Sequence, residues 1–372
     1  TALSLILAMV TILGVFFAPW IVRIQAWGFG DTGMKYELTV LLTRITFPYI
    51  FLISMVAFFM GILNSLRHFS APAAAPIFLN AGIIGATLWI SPHLSRPIVG
   101  TAIGVIIGGA LQVGLQVPVV VRKGLSLAPR WMPAHPALKR IGMLMLPAIF
   151  GSAIYQLNQF TGTLLASFLP EGSVSWLYYA DRLVQLPLGV FAIAISTAAL
   201  PSLSSQAVEK DSDAFNDTLN HSLGLTFFIT IPSMTGLIIL GEPIIQLLFQ
   251  RGAFDSSSTL KTAHALIFYS SGLWAYSGIR VIVSAFYAIQ DTRTPVKIAS
   301  ISLVVNLVSS LILMGPLAHG GLALALSIAS SIQFCLLMIF LKRKINAWDP
   351  KPMIIASGKC ILASAVMGLA VW

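Results

Sequence analysis

The chain has 372 residues, of which 57% are hydrophobic and only 9% are charged, and its mean hydropathy is +0.89. Soluble domains carry about 25% charged residues, so a soluble chain of this composition would aggregate. The composition therefore predicts an all-α, polytopic membrane protein. Its net charge of +10 does not indicate a nucleic-acid partner, because the basic residues are scattered between apolar runs.

Runs of roughly 20 mostly apolar residues predict membrane-spanning helices. Eleven such runs occur, at residues 2–22, 38–63, 73–91, 98–121, 142–168, 175–204, 219–240, 262–289, 298–315, 319–341 and 353–372. The first run begins at residue 2, with no charged segment before it. We therefore expect a fragment whose natural beginning lies upstream, rather than a signal peptide.

The distribution of Lys and Arg predicts the orientation of these spans. Of the 22 basic residues, 13 lie in one alternating set of loops, at 64–72, 122–141, 205–218, 290–297 and 342–352. The opposite set of loops, at 23–37, 92–97, 169–174, 241–261 and 316–318, holds 5. The richer set is expected to be cytoplasmic, because loops that carry an excess of Lys and Arg stay inside.

Three connecting segments have distinct predictions. The basic, proline-punctuated loop 122–141 is interpreted as the boundary between two lobes. The acidic segment 205–218 is interpreted as a solvated cytoplasmic turn. Segment 241–261 has apolar residues at helical spacing followed by Gly and Ser, which predicts an interfacial helix and then a turn.

The spacing of several landmarks indicates an internal duplication. Pro19, Gly28 and Asp31 recur 224 residues later as Pro243, Gly252 and Asp255. Three further pairs depart from that offset by one or two residues: Arg67 and Arg293, Pro72 and Pro295, Asn80 and Asn306. The offset corresponds to six predicted helices, so both copies would have the same orientation in the membrane, a pattern found in transporters.

The residue inventory argues against catalysis. Asp181 is the only acidic residue inside the predicted spans, the six histidines are far apart in sequence, and Cys335 and Cys360 lie in apolar stretches. An enzyme that acts on lipid-linked sugars would need several acids or histidines for proton transfer or metal binding. We therefore predict a protein without enzymatic activity, disulfide, metal or other cofactor.

Arginines inside the spans are the candidate binding residues. Arg182 lies about seven residues into its helix, or roughly 10 Å, which is deep for a charge that costs about 2.5–3.5 kcal/mol in lipid. It shares a predicted polar stripe with residues at steps of three or four, namely Ser175, Tyr178, Tyr179, Gln185 and Gly189. Two interpretations stay open: an anion ligand in a cavity, or a structural partner of a neighbouring helix. Arg280 and Arg44 are further candidates, and Lys359 is expected to be interfacial.

One glycine motif has a structural interpretation. Gly100, Gly104 and Gly108 form GxxxGxxxG, which predicts close packing of two helices rather than a phosphate loop.

Several long motifs resemble the MviN/MurJ family of lipid II flippases in the MOP exporter superfamily. They are GSVSWLYYADRLVQLPLGV, PIIQLLFQRGAFD, FYAIQDTRTPVKIA, ITFPYIFLISMVAFFMGILNS and GPLAHGGLALALS. The resemblance runs over essentially the whole chain and implies a two-lobed bundle of fourteen helices, of which the eleven here would be the third to the thirteenth. It divides the chain into the rest of an N-terminal lobe (1–121), a linker (122–141), a C-terminal lobe (142–341) and a loop with one extra helix (342–372).

The resemblance also implies a function. The chain is expected to move lipid II, the undecaprenyl-diphosphate-linked peptidoglycan precursor, from the inner to the outer leaflet of the bacterial inner membrane. Alternating access through a cationic cavity between the lobes would carry the headgroup. Arg182 and Ser175 match cavity positions of the family, whereas Gln185 replaces a glutamate found in some members. We expect a monomer that contacts membrane lipids, driven by a coupling ion or the membrane potential.

Other functions predict different residues. A related exporter of lipid-linked oligosaccharides would share the cationic spans, whereas a drug or cation antiporter would place acids there. Arg44, Arg182 and Arg280 outnumber the single acid Asp181, which argues against an antiporter. A non-transporting scaffold would tolerate replacement of these arginines.

Overall fold

The structure, a computed structural model, describes residues 2–30, 33–125, 128, 142, 153, 156–209, 211–345 and 348–371. The secondary structure of the described residues is helical, without a β-strand, which confirms the predicted all-α class. The chain divides into two compact units, Thr1–Leu146 and Pro147–Trp372. Most of the predicted linker 122–141 lies outside the described residues, so the four predicted domain boundaries stay predictions.

The described part of the first unit contains six α-helices: α1 (Ala2–Phe16), α2 (Ala18–Gln25), α3 (Met34–Thr46), α4 (Tyr49–Ser65), α5 (Ser70–Trp89) and α6 (Pro97–Arg122). Helices α1 and α2 meet at a bend of 71°, where Pro19 lies in the first turn of α2. Proline is favoured there because the first N–H groups of a helix have no internal partner. Asp31 of the predicted repeat lies outside the described residues.

Close packing of α5 on α6 confirms the interpretation of the glycine motif. A Cβ atom on Gly104 would lie 2.9 Å from the Cα of Ile83, and one on Gly108 would lie 2.9 Å from the Cα of Leu79. On the facing helix, a Cβ on Gly82 would approach the backbone of Gly108 to 2.5 Å. Such backbone contact is possible only where at least one of the two facing residues has no side chain, which is how small residues hold membrane helices together.

Among its described residues, the second unit contains a helical segment at 156–167, here α7, and eight further helices. They are α8 (Ser173–Pro187), α9 (Ile193–Glu209), α10 (Ser212–Ile239), α11 (Gly241–Phe249), α12 (Ser256–Ser271), α13 (Leu273–Ala288), α14 (Arg293–Lys344) and α15 (Lys351–Val371). A π-helical turn at Leu188–Ala192 joins α8 to α9 directly after Pro187. Prolines and π-turns are the usual causes of helix distortion.

Helix α14 is a hairpin of two antiparallel halves. Its backbone breaks at Ala318 (φ 47°, ψ −128°), and Ser302 Oγ in the first half donates to the carbonyl of Ala329 in the second at 3.1 Å. At the open end, Lys344 forms an ion pair with Asp291. The break separates the two predicted spans 298–315 and 319–341.

Seven helical runs of the described residues are long and apolar enough to cross a membrane, and two bent pairs raise that number to nine. The predicted total of eleven spans stays a prediction, since most of the first half of span 142–168 lies outside the described residues. The acidic segment 205–218 was wrongly interpreted as a turn. Helix α9 continues to Glu209 and α10 begins at Ser212, where Asp211 accepts a hydrogen bond from the N–H of Ala214. Asp211 is a favourable N-cap residue, so α10 can begin at Ser212, soon after the end of α9.

Matching turns in the two units support the predicted duplication. Arg67 after α4 and Gln290 after α13 both have positive φ, at 55° and 59°. At each of these helix ends, two equivalent hydrogen bonds close the last turn and form a C-cap that needs a residue in the left-handed conformation. In each pair, one bond spans five residues. These bonds join the N–H of His68 to the carbonyl of Leu63 at 2.8 Å, and the N–H of Asp291 to the carbonyl of Phe286 at 2.9 Å.

Asp291 caps α14, and its contribution to the stability of this turn can be tested. Its Oδ1 accepts from the N–H groups of Arg293 and Thr294, both at 3.1 Å. Burial raises the pKa of Asp291, but bonds from Lys344 and Thr294 outweigh it and bring the pKa to about 2. The stabilisation is therefore present above the unfolded value of about 3.9 and is lost as the pH falls towards 2.

We expect Asp291→Ala to destabilise the second unit by about 1 kcal/mol at neutral pH, because a cap and an ion pair are both lost. Thermal unfolding in nanodiscs measures the change, and Asp349→Ala at the start of α15 serves as a second cap variant. An unchanged melting temperature for Asp291→Ala would contradict this role.

Candidate substrate-binding site

Helix α8 presents Arg182 on an exposed face. The helix begins after Gly172, whose φ of 95° is a left-handed value that glycine adopts without strain. It ends at Pro187, before the π-turn. The guanidinium carbon of Arg182 lies 4.6 Å from the ring centre of Tyr178, one turn earlier, which is a cation–π contact. Within the part of the chain that the structure describes, no carboxylate forms an ion pair with Arg182. The charge is thus stacked on an aromatic ring.

The polar stripe predicted for α8 is narrower than the sequence indicated. Ser175, Tyr178 and Arg182 are exposed, as expected. Tyr179 instead packs between two aromatic rings near α11, with its ring centre 4.9 Å from Phe249 and 5.3 Å from Phe254. Aromatic rings gain most from such contacts when water is excluded, so Tyr179 leaves the stripe to anchor α8.

Asp181 lines two cavities of the second unit that the sequence did not reveal. One has a volume of about 180 Å³ and lies beside Asn158, Tyr178 and Asn306. The other has a volume of about 330 Å³ and extends towards Gln185 and Arg280. Gln185 Nε2 donates to Asp181 Oδ1 at 3.4 Å. The only signal for this role in the sequence was that Asp181 is the lone acid inside the predicted spans.

Arg280 of α13 lines the larger cavity, whereas Arg182 and Ser175 do not. Arg280 and Asp181 both line this cavity but do not form an ion pair. The structure therefore brings together Arg280, Asp181 and Gln185 inside the second unit, with Arg182 on another face of α8. The sequence had placed both arginines in one site, and the structure does not group them in one cavity.

Arg44 lies in the first unit, in the last turn of α3, and is exposed. A cation at this position interacts favourably with the carbonyl end of the helix. This local role accounts for its place early in a predicted span. Among the described residues, no group of three or more His, Cys, Asp or Glu could hold a metal ion.

A bundle of apolar helices with arginines and polar cavities within it is the architecture of an integral-membrane transporter. The structure of a lipid II flippase MurJ in an inward closed conformation aligns with a TM-score of 0.84 and 30% identity, covering 99% of this chain and 76% of that one. An inward-facing multidrug resistance transporter of the MATE family aligns with a TM-score of 0.81 at 15% identity, which shows the fold alone. The chain thus has the fold of the MOP superfamily, as predicted.

The family model described as lipid II flippase MurJ matches residues 1–372, and the chain belongs to that family. The probable lipid II flippase MurJ of Vibrio cholerae is 38% identical over 90% of this chain, and that of Haemophilus influenzae is 33% identical over 99%. The chain spans 65% and 74% of the lengths of these two relatives. It is a multi-pass protein of the bacterial inner membrane, in a family of transporters rather than enzymes.

Proposed function

We propose that the protein moves lipid II from the inner to the outer leaflet by alternating access. The observation that carries this proposal is the exposed guanidinium of Arg182, which stacks on Tyr178 and has no carboxylate partner among the described residues. Family membership supplies the substrate class, and the charge supplies a means of holding it.

A guanidinium suits the diphosphate of lipid II because its N–H donors match pairs of phosphate oxygens. Stacking on Tyr178 occupies the face of the guanidinium and leaves its edge free to donate. Ser175, exposed two turns before Arg182, adds a hydroxyl donor on the same face. We propose that Arg280 and Arg44 assist as further cations during the passage of the headgroup.

Transport needs no covalent chemistry in this proposal. The polyprenyl tail stays in the lipid phase while the headgroup crosses. Because the membrane potential is negative inside, each negative charge that moves outward lowers the free energy by about 2.3 kcal/mol per 100 mV. The proposed partners are the lipid-linked precursor and membrane lipids, with the protein acting as a monomer.

The rival functions predict other ligands. An antiporter of cationic drugs would need several acids in its cavity, whereas Asp181 is the one acid among the described lining residues of the two cavities and shares the larger one with Arg280. An exporter of other lipid-linked oligosaccharides would share the diphosphate site and differ in its sugar contacts. Binding measurements with several lipids therefore separate these functions.

The test is ligand-induced stabilisation of the protein in nanodiscs. Lipid II is compared with undecaprenyl phosphate and with an undecaprenyl-diphosphate-linked oligosaccharide that lacks the peptide. We expect lipid II to raise the melting temperature most, since a ligand stabilises the state to which it binds. Equal stabilisation by the oligosaccharide would favour the rival exporter. No stabilisation by any diphosphate lipid would contradict the proposal.

Tyr178 provides a second prediction at this site. Tyr178→Leu should weaken lipid II binding about fivefold, because an exposed cation–π contact is worth about 1 kcal/mol. Tyr178→Phe keeps the ring and should bind like the wild type. Equal affinities for the Leu and Phe variants would show that the ring does not position Arg182.

A further inference from the structure

A cluster of basic and aromatic side chains lies at the closed end of the α14 hairpin, and none of its members lines the cavity that Arg280 lines. We call it the histidine clasp and define it as Trp176, Lys261, His264 and His319. His319 directly follows the break at Ala318 and is only 7% exposed. Its ring centre lies 5.1 Å from that of Trp176 and 5.5 Å from that of His264. The clasp therefore joins α8, α12 and the second half of α14.

The tautomer of His319 follows from its hydrogen bond. Its Nε2 lies 2.8 Å from the backbone carbonyl oxygen of Lys261. Because a carbonyl only accepts, Nε2 carries the proton in the neutral ring, and Nδ1 is the atom that binds a proton on acidification. None of the described hydrogen bonds engages Nδ1.

Basic side chains surround His319 on α12, the helix to which it is hydrogen-bonded. On α12, Lys261 and His264 are exposed, and the Lys261 ammonium lies 4.4 Å from the ring centre of Trp176. Trp176 is the group that α8 contributes, and it carries no charge. In the described residues, no carboxylate forms an ion pair with the clasp. A proton on His319 would therefore add a second positive charge beside that of Lys261.

Asp255, at the start of α12, is the acid whose charge interacts with Lys261. Hydrogen bonds from Ser258 lower the pKa of Asp255, so it remains ionised across the range in which histidines titrate. Its carboxylate accepts from the N–H of Ser258 at 2.8 Å and caps α12. Its charge is thus constant between neutral and mildly acidic pH and does not contribute to a response there.

Tight packing prevents the rings from separating without movement of the helices. A Cβ atom on Gly320 would lie only 2.5 Å from Cε1 of His264, so α12 and α14 touch here through a residue without a side chain. On its other side, His264 packs edge-on against Phe268, with ring centres 5.0 Å apart. Repulsion between protonated histidines would therefore be relieved by parting the helix ends.

We propose that the histidine clasp is an acid-sensitive switch. When His264 and His319 are neutral, the clasp holds α8, α12 and the second half of α14 together; when both are protonated, it opens. Lys342–Lys344 mark the end of the hairpin that the Lys and Arg distribution predicts to be cytoplasmic. The clasp lies at the opposite end, which is therefore predicted to be extracytoplasmic. It therefore responds to the pH outside the cell.

Opening of the clasp changes access to the smaller cavity. Leu322, one turn after His319, and Tyr178, half a turn after Trp176, both line that cavity. Separation of the two helices at the clasp would widen its wall on this side. The proposal concerns a conformational equilibrium and does not depend on the identity of the transported lipid.

Hydrogen–deuterium exchange of the chain in nanodiscs tests the switch at pH 7.5 and pH 5.5, after correction for the intrinsic pH dependence of exchange. In the wild type, we expect segments 173–180, 256–268 and 316–324 to lose protection about tenfold at pH 5.5, because protonation favours the open state of the clasp. His319→Gln keeps an amide donor for the Lys261 carbonyl but cannot titrate, so its protection should not change with pH.

Two further variants keep the test decisive. His264→Gln should reduce the response, and it replaces His319→Gln if that variant does not fold. His221→Gln, which removes an exposed histidine of α10, should respond like the wild type. Equal loss of protection in the wild type and in His319→Gln would overturn the proposal, and so would a wild type that shows no loss.

Discussion

Arg182→Ala is expected to weaken lipid II binding by about 10- to 100-fold and to abolish transport. A hydrogen bond to a charged group is worth about 1.5–3 kcal/mol, and a bidentate guanidinium loses its donors when truncated. The described structure offers no compensating cation on the same face of α8, since Arg280 lines a cavity that Arg182 does not reach. Binding is measured by titration of lipid II into nanodiscs, and transport by the appearance of fluorescent lipid II in the outer leaflet of proteoliposomes.

Arg343→Ala is a matched control for this variant. Arg343 is also exposed and also stacks on an aromatic ring, at 5.8 Å from the centre of Phe340. Its loss should leave lipid II affinity within about twofold of the wild type. Arg182→Lys, which keeps a point charge without the planar fork, should fall between the wild type and Arg182→Ala.

Two outcomes would contradict a substrate role for Arg182. If Arg182→Ala is normally folded and binds lipid II like the wild type, the arginine stabilises structure alone. If Arg182→Ala and Arg343→Ala weaken binding equally, the effect comes from the general charge of the protein. Failure of the Tyr178 prediction with a strong Arg182 effect would reject only the positioning of the guanidinium.

The helix pattern was predictable where the sequence marks its own interruptions. Pro316 and the glycines at 320 and 321 divide the apolar run that forms α14, and the backbone breaks beside them at Ala318. A Cβ on Gly321 would lie 2.2 Å from the carbonyl oxygen of Leu313, so the reversal needs a glycine there. The end of α9 was less predictable, because a polar segment such as 205–218 fits either a solvated helix or a loop.

The candidate site was predictable in its residues but not in their grouping. Sequence spacing places Ser175, Tyr178 and Arg182 on one face of α8, and the structure exposes all three. It cannot show which face lines a cavity, since that depends on helices far away in sequence. Asp181 illustrates this, because its cavities are formed with residues of α7, α13 and α14.

The histidine clasp shows the same limit more strongly. His264 and His319 are 55 positions apart in sequence and show no metal-binding or catalytic spacing. They meet because α14 reverses at Ala318 and its second half packs on α12. Long-range contacts of this kind follow from topology, so no local pattern around either histidine could have indicated the pair.

Gly108→Leu is expected to have the largest effect on folding. Its Cβ would lie 2.8 Å from the carbonyl oxygen of Leu79 and 2.9 Å from the Cα of that residue, so the added side chain must push α5 away from α6. Overpacking costs about 1–3 kcal/mol even where only side chains must move, and here the obstacle is backbone. We therefore expect a loss of about 3 kcal/mol in the first unit, seen as a melting temperature lowered by about 10 °C.

Gly114→Leu on the same helix separates packing from helix propensity. A Cβ on Gly114 meets no atom within 4 Å, so the substitution adds no clash. Leucine is a better helix former than glycine by nearly 1 kcal/mol, so this control should melt at the same temperature as the wild type or slightly above it. If Gly108→Leu behaves like Gly114→Leu, the two helices are not held by backbone contact. If only Gly108→Leu unfolds early, the glycine face fixes the spacing of α5 and α6, which side-chain packing alone would leave adjustable.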